Sequence, residues 1–262
     1  MKKENLILIH SFPTNSILLS GYIEYLSDYF NVYFIDLPGF TKAGPPLERI
    51  TFEGYCYFVE GKIKELNLSG YLVEGISFGF AIINHLNYDE KCKGIIAIEP
   101  FIGSGSLKIN AMTKGLYLFL IQTICSLRLY SLFWGSQLLV MYLPKLMDYP
   151  PETMSIIFEQ IDSRTFFETA NMILKDHNIY QFHDLPYVLI ANKDDRTVNF
   201  DYVYETLSRN VTKLLVINTE IDHYPRDTSK AYFKNMVPEE IFQKIAVFFS
   251  ENSVVSTTQG AA

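Results

Sequence analysis

The chain has 262 residues, 48% of them hydrophobic and 19% charged, with a formal net charge of −7. That balance suits a globular core and excludes a wholly disordered chain. An acidic chain without a Lys/Arg cluster would repel a phosphate backbone, so no nucleic-acid partner is expected. Cys56, Cys92 and Cys125 are odd in number and far apart, which fits free thiols in a reducing compartment rather than a disulfide framework or a metal site. The start, Met1-Lys2-Lys3-Glu4-Asn5 and then a short apolar run before His10, is too brief for a signal-peptide core. A cytoplasmic location is expected, with no cofactor and no metal.

Short apolar runs rich in β-branched residues predict strands at 6–9, 32–35, 71–73, 95–98, 188–191 and 214–217. Most are apolar on both faces, the pattern of parallel strands covered by helices on each side. Helical patterns fall at 18–29, 52–66, 78–86 and 202–208, with a last one at 239–249. The alternation predicts an α/β fold with a doubly wound, mostly parallel sheet of about six strands. It fails once, between Ile98 and Tyr187, where helical pattern continues without a strand. A helical lid inserted after the fourth strand is therefore expected, over the sheet edge where open α/β sheets bind ligands. The expected organisation is a core at 1–103 and 181–249, a cap at 104–180 and a disordered tail at 250–262.

Residues 115–143 are apolar enough to raise the question of a membrane span. Arg128 near their middle would be costly at a bilayer centre. Two amphipathic cap helices hinged near 128–131 are expected instead, and membrane-surface contact through the cap is left open. The Leu, Ile, Phe, Tyr and Trp134 content would make a greasy cover favouring an apolar acyl or alkyl group, or would simply bury against the sheet. Nothing in the sequence fixes an oligomeric state.

Gly75-Ile76-Ser77-Phe78-Gly79 follows the strand at 71–73 and opens a helix, the context that a G-x-S-x-G nucleophile elbow requires. Crowding explains the glycines: Ser77 has to sit on a sharp, strained turn, and side chains two residues to either side would collide. The Phe78 backbone N–H would then face a developing oxyanion. A serine nucleophile needs an imidazole base. Of five histidines, His10 ends the first strand and reads as structural, and His85 as packed or solvent-facing. His177 and His183 read as surface residues or pocket lining. His223, shortly after the last strand, is the choice.

His10-Ser11-Phe12-Pro13, Asp36-Leu37-Pro38-Gly39-Phe40 and Asp222-His223-Tyr224-Pro225 resemble the H-G-x-P, D-x-P-G-x and G-H-[FY]-P turns of the α/β-hydrolase superfamily. The resemblance covers roughly 5–98 and 186–249. It implies a serine hydrolase of the esterase or lipase kind, with the Phe12 N–H as second oxyanion donor beside Phe78 and His223 as base. Asn192-Lys193-Asp194-Asp195-Arg196-Thr197-Val198 is similar to the family's G-x-x-D-x-x-V, which implies Asp195 as the triad acid. Asp194 and Glu99 are its rivals, since some branches place the acid just after the fourth strand. Ser11, Asn192 and Asp222 stand where glycine is usual. Many relatives carry a hairpin before the oxyanion strand, and too few residues precede it here, so a trimmed sheet is expected.

The first turn is also similar to that of epoxide hydrolases and haloalkane dehalogenases, which carry an aspartate nucleophile. Ser77 in that place selects acyl transfer. The expected function is hydrolysis of a small or medium lipophilic carboxylic ester. C–C bond hydrolysis or peptide cleavage on the same triad, and a non-catalytic binding protein of this fold, are the alternatives.

Overall fold

The six apolar runs become β1 (Glu4–Ile9), β2 (Phe30–Ile35), β3 (Tyr71–Ile76), β4 (Cys92–Ile98), β5 (Tyr187–Ala191) and β6 (Leu214–Asn218). They form one sheet in the order β2-β1-β3-β4-β5-β6, and every pairing is parallel. The computed structural model describes residues 3–147, 149–175 and 181–252.

Strand alternation splits the core into two layers. Ile7, Ile9, Val73, Ile95 and Leu189 face one side, where α2 (Phe52–Leu66), α3 (Phe78–Ile83) and α9 (Phe200–Asn210) pack. Leu6, Leu8, Leu72, Ile96 and Val188 face the other, covered by α1 (Ser20–Leu26), α10 (Lys230–Met236) and α11 (Glu239–Asn252). Among the described residues five α-helices separate β4 from β5: α4 (Ala111–Ser126), α5 (Tyr130–Phe133), α6 (Gln137–Met147), α7 (Pro151–Gln160) and α8 (Ser163–Leu174). They join the first layer through Ile124, Leu143, Ile157, Phe166 and Phe167. Asn110, Asp162 and Asn199 start α4, α8 and α9 by accepting the N–H of Thr113, Thr165 and Tyr202.

Four local expectations shift. α1 is shorter than 18–29, because Ser27 and Asp28 close it with turn bonds to Ile23 and Tyr25. α3 stops at Ile83, where His85 N–H turns to the Ile82 carbonyl. α10 carries no long apolar stripe and went unanticipated. α11 runs to Asn252, so 250–252 are helical rather than tail; the rest of the tail lies outside the described residues. The hinge near Arg128 is present: Arg128 has φ 54 and separates α4 from α5. Among the described residues no helix is long and apolar enough to cross a membrane.

One buried charge-bearing group interrupts the second layer. Glu74 lies between Leu72 and Ile76 on β3, 1% exposed, and accepts the Tyr22 hydroxyl at 2.8 Å. Burial, only partly opposed by the Tyr22 bond, pushes its carboxyl from the ordinary 4.5 up to about 8. The folded protein thus keeps a proton that the unfolded chain loses above its own lower value, so this group costs stability as pH rises between the two. Glu74→Gln, which retains an acceptor for Tyr22, should gain on the wild type by up to about 4 kcal/mol between pH 5 and 8. Urea midpoints of both proteins across that range check it; parallel curves would contradict it.

Candidate active site

Four adjacent strands, β3 to β6, carry the candidate residues to the same C-terminal rim. Ser77 directly follows β3 with φ 47 and ψ −111, outside the broad helical and extended regions. Its backbone is pinned: the N–H donates to the Ile98 carbonyl at 2.8 Å, and its carbonyl accepts from Phe80 and Phe101. The flanking glycines are obligatory. A Cβ on Gly79 would lie 2.4 Å from the Ile9 carbonyl oxygen, and one on Gly75 would lie 2.5 Å from Phe80 Cα. Phe78 opens α3, so its N–H has no partner within the helix. Among the described residues the Ser77 hydroxyl makes no hydrogen bond, His223 included.

Asp195 and His223 are in contact. Nδ1 of His223 lies 3.1 Å from Oδ2 of Asp195, with the side chains 5% and 1% exposed. The other carboxylate oxygen, Oδ1, accepts the N–H groups of Thr197 at 2.6 Å and Val198 at 2.5 Å. Burial raises the carboxyl's proton affinity, but the His223 bond and charge and the two N–H donors outweigh it, holding Asp195 below the usual carboxylate range. An ionised acceptor makes Nδ1 the donor and leaves Nε2 as a free base. Asp194 is exposed and its N–H bonds Asn192 Oδ1.

Glu99, directly after β4, is 2% exposed with φ 41. Its Oε1 accepts the Asn192 N–H. One ligating atom from each of Glu99, Asp195 and His223 falls within 4.8 Å of the others. Burial first, then the Asp195 charge, push the Glu99 carboxyl up to about 9, against the pull of Lys108. Three donors in that span could hold a cation, but Nδ1 is engaged and Glu99 keeps its proton, which leaves little charge for one.

The remaining histidines are not part of this cluster. His10 is fully buried; Nδ1 donates to the Ser11 carbonyl and Nε2 accepts the Leu37 N–H at 2.9 Å. Burial lowers its pKa, with Asp36 opposing. His85 packs edge-on to Phe52, and His183 bonds the Asn84 carbonyl and packs on Tyr88. His177 lies outside the described residues.

The three glycine replacements are accommodated. None of Ser11, Asn192 and Asp222 has a positive φ. Ser11 shares a hydroxyl bond with Thr14, Asn192 donates to the Ile221 carbonyl, and Asp222 accepts the Tyr232 hydroxyl at 2.7 Å.

Three contributors escaped sequence reasoning because they come from distant segments. Lys108 Nζ donates to the Asp195 carbonyl at 2.6 Å. Tyr149, between α6 and α7, packs at 5.1 Å and a tilt of 48° on Tyr224, the neighbour of His223; its buried hydroxyl has no hydrogen-bond partner among the described residues. From α8, Phe166 packs at 5.0 Å on Phe12. A cavity of about 20 Å³ touches Ser11, Tyr22, Glu99, Asp222 and His223. That is room for one water and not for an ester.

No protein-family model matches the chain. Over 101 residues it is 31% identical to a pimeloyl-[acyl-carrier protein] methyl ester esterase of Wigglesworthia glossinidia brevipalpis, a match spanning 36% of each protein. Among solved structures it resembles a thermophilic esterase from Thermogutta terrifontis (16% identity, 96% of this chain and 91% of that one, TM-score 0.64). An epoxide hydrolase of Bacillus megaterium (15%, 95% and 94%, TM-score 0.64) and an enol-lactonase of Burkholderia xenovorans LB400 (14%, 96% and 92%, TM-score 0.63) share the same architecture. At these identities the likeness is one of structure, and the chain has the α/β-hydrolase fold.

Proposed function

We propose that the protein is a serine hydrolase that cleaves a lipophilic carboxylic ester through an acyl-enzyme on Ser77. The observation that carries this reading is the buried Asp195–His223 hydrogen bond, placed on the rim onto which the elbow lifts Ser77. Substrate binding would draw the Ser77 hydroxyl and Nε2 together, since such bonds are often long in an empty site and tighten in the complex.

Nε2 then takes the hydroxyl proton as Oγ adds to the ester carbon. The carbonyl oxygen becomes an oxyanion between the N–H groups of Phe12 and Phe78, each donor of this kind lowering the barrier by about 3–4 kcal/mol. The C–O bond breaks, the alcohol leaves with the His223 proton, and water repeats the sequence to release the acid. Asp195 stays ionised throughout and orients the ring.

The name of the curated relative, a methyl ester esterase, favours an ester over an amide or a C–C bond. The unstrained replacements at the glycine places speak against a non-catalytic protein. Hydrolysis of a p-nitrophenyl ester series, lost in Ser77→Ala, tests the reading; turnover that survives the substitution would overturn it.

Helices α4 to α8 serve in this reading as a cap, meeting the site through Phe166 on Phe12 and Tyr149 on Tyr224. Its outer surface is apolar. On α4 and its C-cap, Met112, Leu116, Phe119, Leu120 and Leu127 are exposed, Met112 by 84% and Phe119 by 66%, and their spacing puts them on one side over about 22 Å. From Ser104 to Met147 the chain carries Lys108, Lys114, Arg128 and Lys145 and no acidic residue, against −7 overall. An apolar face ending beside the exposed Arg128, in a stretch without acidic residues, suits an anionic lipid surface. The protein should float with phosphatidylglycerol vesicles and not with phosphatidylcholine alone, and Phe119→Glu with Leu116→Glu should abolish it. Wild-type protein left in the dense fraction with anionic vesicles would contradict this.

A further inference from the structure

We infer that Glu99 is a second acid of the site, paired with Asp195 as a two-carboxyl unit carrying one charge, and that it can take over the support of His223 when Asp195 cannot supply it. The inference rests on the hydrolase reading above and adds a positioning residue to it.

The backbone holds Glu99 where it would not sit by itself. A non-glycine residue at φ 41, directly before Pro100, is in a region that sterics disfavour. It is kept there by its N–H bond to the Ile190 carbonyl at 3.1 Å, with the Ser77 N–H bonded to the preceding carbonyl of Ile98. Strain of this kind persists where the surroundings over-determine it, and it concentrates at functional sites. The outcome is a carboxyl buried to 2% exposure, with its Oε1 on the Asn192 N–H. It lies within 4.8 Å of the ligating atoms of both Asp195 and His223. No packing need is met by a carboxyl there; an apolar side chain would avoid the cost of burying it.

Two carboxyls this close and this dry do not both ionise. Asp195 keeps the charge because it accepts two N–H groups and the imidazole. Glu99 accepts a single N–H and keeps the proton. The other groups around it are Lys108, whose ammonium is bound to the Asp195 carbonyl, and, across the adjoining cavity, Asp222, Tyr22 and Tyr232. Asp222 is itself held by the Tyr232 hydroxyl and by Arg226.

The signs follow. In the wild type, raising pH to about 9 sends the Glu99 proton to solvent. A second negative charge then faces the ring and stabilises the imidazolium that forms in the reaction, so the rate climbs on the alkaline side. Glu99→Gln should lose that rise. In Asp195→Asn the repelling charge is gone, Glu99 ionises at lower pH, and its carboxylate becomes the anion facing the imidazole. Residual activity should rise as Glu99 titrates, and should exceed that of Asp195→Asn/Glu99→Gln by roughly tenfold or more.

Two measurements decide it: pH–rate profiles of these four proteins, and a ¹³C NMR titration of the Glu99 carboxyl in the wild type and in Asp195→Asn. Support is a Glu99 carboxyl that titrates high in the wild type and lower in Asp195→Asn, with the double variant below the single one. The inference is overturned if the single and double variants match at every pH, if Glu99→Gln keeps the alkaline rise, or if Glu99 titrates in the ordinary carboxylate range in both proteins. A wild type inert on all esters would instead sink the hydrolase reading, and the NMR titration would still decide the pairing.

Discussion

Ser77→Ala should reduce kcat by about 10⁶-fold, or about 8 kcal/mol of barrier, while leaving KM and stability close to wild type. The loss is large because the nucleophile, base and acid act as one unit, so removing the hydroxyl stops covalent catalysis altogether. Stability is spared because the hydroxyl makes no hydrogen bond among the described residues, while the bonds that hold the turn come from the Ser77 backbone. Ester turnover beside a urea unfolding curve for both proteins checks it. An unfolded variant would show that the serine is structural, and an active one that the reaction runs elsewhere.

Gly79→Ala should damage the protein from the opposite direction, through the backbone. The new Cβ would sit 2.4 Å from the Ile9 carbonyl oxygen and 2.6 Å from that of His10. Both are main-chain atoms where β1 passes into the turn that carries Phe12, and neither can swing aside as a side chain would. The expected cost is about 3 kcal/mol or more in unfolding free energy, with activity lost because α3 and the Phe12 turn are forced apart. Urea midpoints measure the first and ester turnover the second. A variant of wild-type stability would mean that α3 can shift away from β1.

The contrast between these two changes shows why some of the site was legible in the sequence. Gly75 and Gly79 flank Ser77 because of local crowding, and local crowding depends on spacing along the chain. Asp195 was legible for a similar reason: its carboxylate bonds the N–H groups two and three residues ahead, at Thr197 and Val198, a turn that the D-x-x-V spacing encodes. The strands were legible because runs such as Ile95–Ile96–Ala97–Ile98 are buried on both faces.

What stayed hidden depended on distant contacts. The position of Glu99 could be noticed, but its protonation follows from burial and from Asp195, far along the chain. Lys108 reaches Asp195 across 87 positions, and no short motif announces such a bond. The outer face of α4 was ambiguous because its inner face is apolar as well, so periodicity did not distinguish which side would be covered. α10 was missed because Lys230, Lys234 and Asn235 break up its apolar residues, and its packing against α1 stabilises it more than its own pattern does.

The most direct test of the account is to treat the folded protein with a fluorophosphonate, which phosphonylates only an activated serine, and to map the modified peptide. The account predicts a single stoichiometric adduct on Ser77, with labelling suppressed in His223→Ala. An unmodified Ser77 under conditions that label a control esterase, or an adduct formed equally well without the imidazole, would contradict it.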